Sequence, residues 1–313
     1  MYFPYMRSNL NEISAILELS QVITESRLVL PVFRIEKSDR HLFRRLKLIA
    51  KQGQRYAIVV NAAPVDAGKT IQRMAQELVE EHPGIVFPAF EIISEEVNAL
   101  AVRAAPLFRE SPAILVHRTV APASDLSKAF ASLPQPPIHV YLQSNVELAR
   151  AHRLPSSGDV ILNDPFKKKI KNGLYPRQSE FESLADTYST KGYAGFGDFG
   201  IIGDYYKAGG GRASNVALHL TEKLPDRFVC NHFVSDDKFI ESHIHYQYAD
   251  SLAKLRAHVG TPPSAIFDTS GVTDGYAVDD AFHNLGVAKR WSMKHHIHML
   301  HRTLSSAKVQ PFM

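Results

Sequence analysis

A single cysteine, Cys230, stands among the 313 residues, so no disulfide can form within the chain. A lone thiol suits a reducing compartment, and a cytoplasmic location is the expectation. The run around it, RFVCNHFV (227–234), is apolar, so Cys230 reads as a buried small hydrophobe rather than a nucleophile. Long apolar runs are also lacking. No stretch approaches the roughly 20 residues needed to span a bilayer. The opening MYFPYMRSNLNE has neither the charged start nor the apolar core of a signal peptide, and no membrane partner is expected. Charge of one sign is scarce too: 36 Lys and Arg against 32 Asp and Glu leave a formal +4. That balance permits contact with phosphates without requiring it. There is no internal repeat and no low-complexity linker, so one domain over 1–313 is the economical division. Within it, 1–23 form an arm and helix, 24–236 a barrel, and 237–313 a C-terminal set of helices and a loop.

What the chain does have is alternation. Hydrophobic residues make up 45%, enough for a substantial core. After an aromatic arm (Tyr2, Phe3, Tyr5) and a helix over 9–23, short runs rich in Val, Ile and Phe recur at 29–35, 56–62, 85–92, 113–118, 138–142 and 159–163. Between them lie segments of helical spacing, at 39–52, 70–81, 95–107, 124–133 and 146–152. Such βα alternation predicts a parallel sheet. With 196–203 and 214–220 counted as strands seven and eight, the expected fold is a (β/α)8 TIM-barrel-like domain, with an added strand at 227–234. An open doubly wound sheet is the alternative. Beyond it, 239–259 and 288–305 read as helices and 261–287 as a long surface loop. Most of the strand-like runs end on polar residues, among them Arg34, Asn61, Glu91, His117, Asn163 and Asp198. In a barrel these converge on the C-terminal rim, where sites are built; singly, each is an ordinary helix cap.

The richest stretch in candidate chemistry is 164–236. Asp198 and Asp204 flank one apolar segment, and His219 and His232 lie in two neighbouring ones. If those two pair, the imidazoles meet. With Asp198 or Asp204 they could ligate a divalent metal or act as acid and base. A histidine in a strand is also commonly a satisfied structural residue. Asp198, Asp204 and His232 are the expected metal ligands, and with Glu91 the expected catalytic groups. Asn61, Asp164, Lys167, Arg177, Arg212 and His219 are the expected substrate contacts. DPFKKKIKNGLYPR places Lys167, Lys168, Lys169, Lys171 and Arg177 within eleven residues, either to meet a nucleic acid or nucleotide or as a solvated face. AGGGR (208–212) is either an anion cradle backed by Arg212 or a flexible turn. APVDAGKT (Ala63–Thr70) fits a loose phosphate-binding loop, but its leading Gly is absent and Pro64 removes an N–H donor. A βα loop with Asp66 or Thr70 as a helix cap is preferred over a nucleotide site there. The four histidines of KHHIHMLHR (294–302) read as a helix surface.

In DPFKKKIKNGLYPR, GYAGFGDFGIIGDYY, NVALHL and FVCNHFVSD, together with the opening MYFPYMR and Glu12, Asn61 and KRWSMKHH (289–296), the chain resembles the beta protein family of bacteria and phages. The resemblance runs over essentially the whole chain, with its central block the most specific part. It carries over Arg7, Glu12, Asn61, Asp164, Lys167, Asp198, Asp204, His232, Ser235, Asp236 and His295. The family has no established biochemical activity. It is often encoded beside a nuclease-like partner, in neighbourhoods suggestive of phage defence or mobile elements. The resemblance thus implies a defence component whose polar rim binds or hydrolyses a phosphate-containing substrate. The alternative is a non-catalytic sensor or scaffold that holds the nuclease-like partner. Two departures matter: Tyr205 stands where the family often has an acidic residue, and the family's loop after Asn61 lacks GKT.

Overall fold

The computed structural model describes the chain apart from residues 8, 36, 38, 63–64, 94–111, 120–129, 131–134, 152–155, 205–214, 238–242, 261–268, 270 and 313. It divides into two compact units. One comprises Met1–Asn163, Leu184–Asp198 and Leu304–Met313; the other comprises Asp164–Ser183 and Phe199–Thr303.

The first unit is an eight-stranded parallel, nearly closed barrel. Its strands are β1 (Tyr5–Met6), β2 (Val32–Arg34), β3 (Tyr56–Val59), β4 (Val86–Ile92), β5 (Ile114–His117), β6 (Ile138–Leu142), β7 (Gly158–Asn163) and, after a separate strand β8 (Gln178–Glu180), β9 (Gly195–Asp198), in that spatial order. The expected barrel is therefore present, with seven of the eight expected runs as staves, 214–220 outside it and the aromatic arm taking the remaining place. The first is not 29–35 but the aromatic arm, which pairs with β2 in parallel (Tyr5 opposite Val32). The ring closes beside it, where Phe3 N donates to Phe196 O (2.8 Å) and Phe196 N to Met1 O (3.0 Å). The run at 214–220 is not a barrel strand at all. Burial explains why β2 to β7 form: they are nearly continuous buried runs, as strands covered on both faces must be.

Helices cover the outer face. Asn9 caps Leu10–Ile23, its side chain accepting from the backbone N–H of Asn11 and Glu12. Asp39 likewise caps Arg40–Lys51, which buries Leu42, Phe43, Leu46 and Ile49. The helix after β3 starts earlier than its apolar spacing indicates, at Val65 rather than Thr70. Gly68, Lys69 and Thr70 thus lie inside a helix, and neither Asp66 nor Thr70 is its cap. The helical readings at 95–107 and most of 124–133 lie outside the described residues.

The second unit is built on a three-stranded antiparallel sheet in the order β10 (Ala217–Lys223), β11 (Phe228–Val234), β8 (Gln178–Glu180). Here β10 alternates half-buried and buried positions over Ala217–Leu220, and Thr221 and Glu222 are buried as well. Val216, Leu218, Leu220 and Phe233 pack with Tyr248, Leu252 and Leu255 of the helix Ile244–Val259, and with Val272, Tyr276 and Trp291. The stretch 261–287 is accordingly not all surface loop. Val272–Tyr276 is a wide helical turn, and Tyr276, fully buried, donates its hydroxyl to the Ala288 carbonyl (2.6 Å). The last helix, Leu285–Ser306, is buried through its histidine run rather than exposed there. His295 donates Nε2–H to Thr221 O (2.5 Å) and accepts from Thr269 Oγ1 (2.6 Å), while His296 meets Thr221 Oγ1 (3.0 Å). Among the described residues no helix is long and apolar enough to cross a membrane.

Candidate functional site

The barrel's C-terminal mouth gathers one cluster. Tyr56 turns outward, its hydroxyl donating to Leu46 O of the covering helix (2.9 Å), so residues 57 and 59 of β3 turn inward. The ladder places Tyr5 level with Val32 and Ala57, and Arg34 level with Val59 and Ala89. Tyr5, Arg34, Asn61 and Glu91 therefore share the inner face. Asn61 acts as a clamp: its Nδ2 donates to Glu91 O and its Oδ1 accepts from Glu91 N, both at 2.8 Å. That fixes the backbone carrying Glu91, whose fully buried carboxylate accepts Arg34 Nε at 3.0 and 3.1 Å and the Tyr5 hydroxyl. Burial, then the Glu91 charge, holds the Tyr5 phenol well above its usual range, and both Arg34 and Arg118 pull it back. Arg118, one residue past β5, continues the inward face of Val116, which is level with Glu91.

Asp198 is differently placed. Along the ladder Glu91 is level with Val116, Val140, Val160 and Gly195, whereas Asp198 shares the face of Phe196, Ile161, Tyr141 and His117. The pleat sets the two carboxylates on opposite faces. Asp198 is buried and accepts the Tyr2 hydroxyl (2.8 Å), and Tyr2 stacks on Phe196 (5.2 Å). His117 faces the same way, in a stack with His139 and Tyr141. Its Nε2 lies 2.7 Å from His139 Nδ1, and burial pushes its pKa down to about 3.

The second unit holds the other cluster. His219 and His232 are direct cross-strand partners, as their neighbouring runs suggest, and their Nδ1 atoms lie 2.8 Å apart. Cys230, two residues before His232 on the same strand, shares its face. Its Sγ is 3.9 Å from His232 Nδ1, and the three donor atoms all lie within 4.8 Å of one another. Ser179 of β8 meets His232 Nε2 at 2.8 Å. Tyr175 stacks on His232 (4.7 Å) and meets His219 edge-on, with Phe166 against both rings. Burial lowers the pKa of His219 to about 3, aided by His232 and Lys289, and that of His232 to about 4, aided by Lys169. Burial pushes the Cys230 thiol up. Both imidazoles are neutral at physiological pH and supply lone pairs.

Cys230 is buried, as its apolar run implies, but its thiol faces two imidazoles, a relation the hydrophobic reading missed. The period of two between Cys230 and His232 was the available signal. Neither Asp198 nor Asp204 is in the converging group of metal-type donors found among the described residues. Asp204 instead donates its backbone N–H to Asp164 Oδ2 (2.9 Å). Lys167 pairs with Glu182 (3.6 Å), and Arg177 is exposed, its carbonyl accepting from His232 N (2.9 Å). Ser235 and Asp236 are structural ties. Ser235 Oγ accepts from Val216 N (3.1 Å), and Asp236 pairs with Lys254 (2.5 Å). Arg212, the 208–212 glycines and Tyr205 lie outside the described residues. No family model, curated protein or solved structure matches the chain.

Proposed function

We propose that the barrel binds a phosphate-containing ligand at its C-terminal mouth, as a component of a bacterial anti-phage or mobile-element system. The supporting observation is the gathering of two guanidinium groups, Arg34 and Arg118, and one carboxylate, Glu91, around the Tyr5 hydroxyl on the inner face. The pairing with the buried Glu91 carboxylate holds Arg34 in place. Guanidinium groups suit phosphate through their planar fork of donors. The C-terminal mouth is where barrels of this class present their sites. The defence context rests on the family resemblance alone. Glu91 is the group in this cluster able to orient or deprotonate a water if the ligand is hydrolysed.

The test is equilibrium binding of nucleotides and short oligonucleotides to the full chain and to Arg118→Ala. A loss of affinity of about tenfold or more, steepening at low salt, is expected. Unchanged affinity in that variant would overturn the reading. Glu91→Gln should retain binding and lose any phosphate release.

A second reading, a scaffold for a nuclease-like partner, draws on the loop before β8. Ile170 there is 96% exposed and Leu174 61% exposed, among Lys167, Lys168, Lys169 and Lys171. Apolar tips within a basic surface are a feature of protein contact sites.

A further inference from the structure

We propose that His219, Cys230 and His232 form a zinc site, with both Nδ1 atoms and the Cys230 sulfur as ligands and the fourth position open to water or an anionic oxygen. This inference is independent of the barrel-mouth reading, since it uses residues of the other unit only.

The spacing fits. Zinc bonds of about 2.0–2.1 Å to nitrogen and 2.3 Å to sulfur, at tetrahedral angles, put N and N about 3.3 Å apart and N and S about 3.6 Å apart. The two Nδ1 atoms stand at 2.8 Å, and Sγ stands 3.9 Å from His232 Nδ1. The third pair, His219 and Cys230, lies within 4.8 Å; shifts of about half an ångström to about 1.2 Å, within the reach of χ rotations, open the nitrogen pair and draw in the sulfur. The backbone supplies the convergence without loops. A cross-strand pair sets two ligands opposite each other, and the i, i+2 relation sets the third on the same face.

The donor set also narrows the metal. One thiolate with two imidazoles disfavours the oxygen-seeking magnesium and calcium and suits zinc, with copper the competing ion. Ser179 provides the outer hydrogen bond that metal-bound histidines commonly make. With Nε2–H of His232 directed at Ser179 Oγ, its Nδ1 carries the lone pair. Phe166 and Tyr175 wall the site, and Asn172, on the same loop, donates Nδ2 to Asn215 O (2.7 Å).

The exchange balances simply. The aquo ion gives up waters to two neutral imidazoles and one sulfur. Cys230 loses its thiol proton to solvent as the Zn–S bond forms, and no electron changes hands. The proton between the two Nδ1 atoms moves to the outer nitrogen of its ring. Thiolate and zinc together leave one positive charge, to which Lys169 and Lys289 add. The open position therefore favours an anion over a neutral ligand.

The experiment uses the full chain without a histidine tag. After incubation with zinc and exhaustive dialysis, elemental analysis should find about one zinc per chain, with about one proton released on binding. Cys230→Ala and His232→Ala, checked for folding by circular dichroism, should fall below about a tenth of that. Cobalt loading of the unaltered protein should give a near-ultraviolet thiolate-to-metal band that Cys230→Ser abolishes. Zinc retention that survives both substitutions would place the metal elsewhere, for instance on other histidines, and overturn the proposal. Failure of the unaltered protein to retain zinc, or a cobalt spectrum without the thiolate band, would overturn it too, even if a variant misfolds.

Discussion

At the scale of single residues, what decides behaviour here is the cost of burying polar groups. Glu91 and Arg34 are tolerated inside the barrel because each answers the other, and removing one partner of such a pair costs about 3–5 kcal/mol. His117 is tolerated because it stays neutral. Its folded pKa is about 3, below the roughly 6.5 of an unfolded histidine. Between those values the unfolded chain binds the extra proton, so this contribution is fully present above about pH 6.5 and is lost as the pH falls toward 3. From pH 7 to pH 5 it should remove about 2 kcal/mol of stability. In His117→Phe, which keeps a ring against Tyr141, the drop over that interval should be smaller by about that amount. Urea titrations of both proteins at pH 7 and pH 5 make the comparison; equal drops would mean that His117 is charged in the folded state. The His219–His232 pair was legible in the sequence as two imidazoles on neighbouring runs. The partners of Glu91 were not. Arg34, Asn61 and Glu91 each ended a strand-like run, but only the register shows that they share a face with Tyr5, 86 residues from Glu91.

At the scale of elements, the sequence showed which segments alternate but not which of them close the ring. β1 is two residues long, too short to register as an apolar run, and it succeeds because β2 and the Phe196 region hold it from both sides. The run at 214–220 passed for a barrel strand because it is apolar and well spaced. Its alternation over Ala217–Leu220, with half-buried Ala217 and His219 against buried Leu218 and Leu220, is the mark of a half-covered antiparallel strand, whereas ILVH and VILN are buried without a break. Closure depends on β9 having no side chain where the arm passes. A Cβ on Gly197 would collide with the Phe3 carbonyl oxygen and stand 3.1 Å from Leu162 Cδ1. Gly197→Ala should therefore destabilise the barrel by about 1–3 kcal/mol or more, since the obstruction is backbone. Chemical denaturation against the unaltered protein measures it, and a loss below about 0.5 kcal/mol would mean that the arm yields.

At the scale of the whole molecule, the chain passes between its two units repeatedly, after Asn163, Ser183, Asp198 and Thr303. Neither unit is a continuous segment, which is why composition and linker signals showed no boundary. Each nevertheless has its own sheet, and the donors His219, Cys230 and His232 belong to one unit alone. A ligand that binds only the folded form stabilises whatever must unfold to release it. At free zinc a hundredfold above its dissociation constant, that gain is about 2.7 kcal/mol, or a roughly hundredfold slowing of exchange through unfolding. Hydrogen exchange with and without zinc then reads the coupling directly. If the units open separately, amides of β10 and β11 should slow by about that factor while those of β5 and β6 keep their rates. Equal slowing in both would mean that the barrel opens only when the second unit does, so that repeated crossing has joined them into one cooperative block. Removing zinc with a chelator should restore the original rates. In Cys230→Ala, zinc should leave the rates of β10 and β11 unchanged, because one of the three proposed ligands is gone.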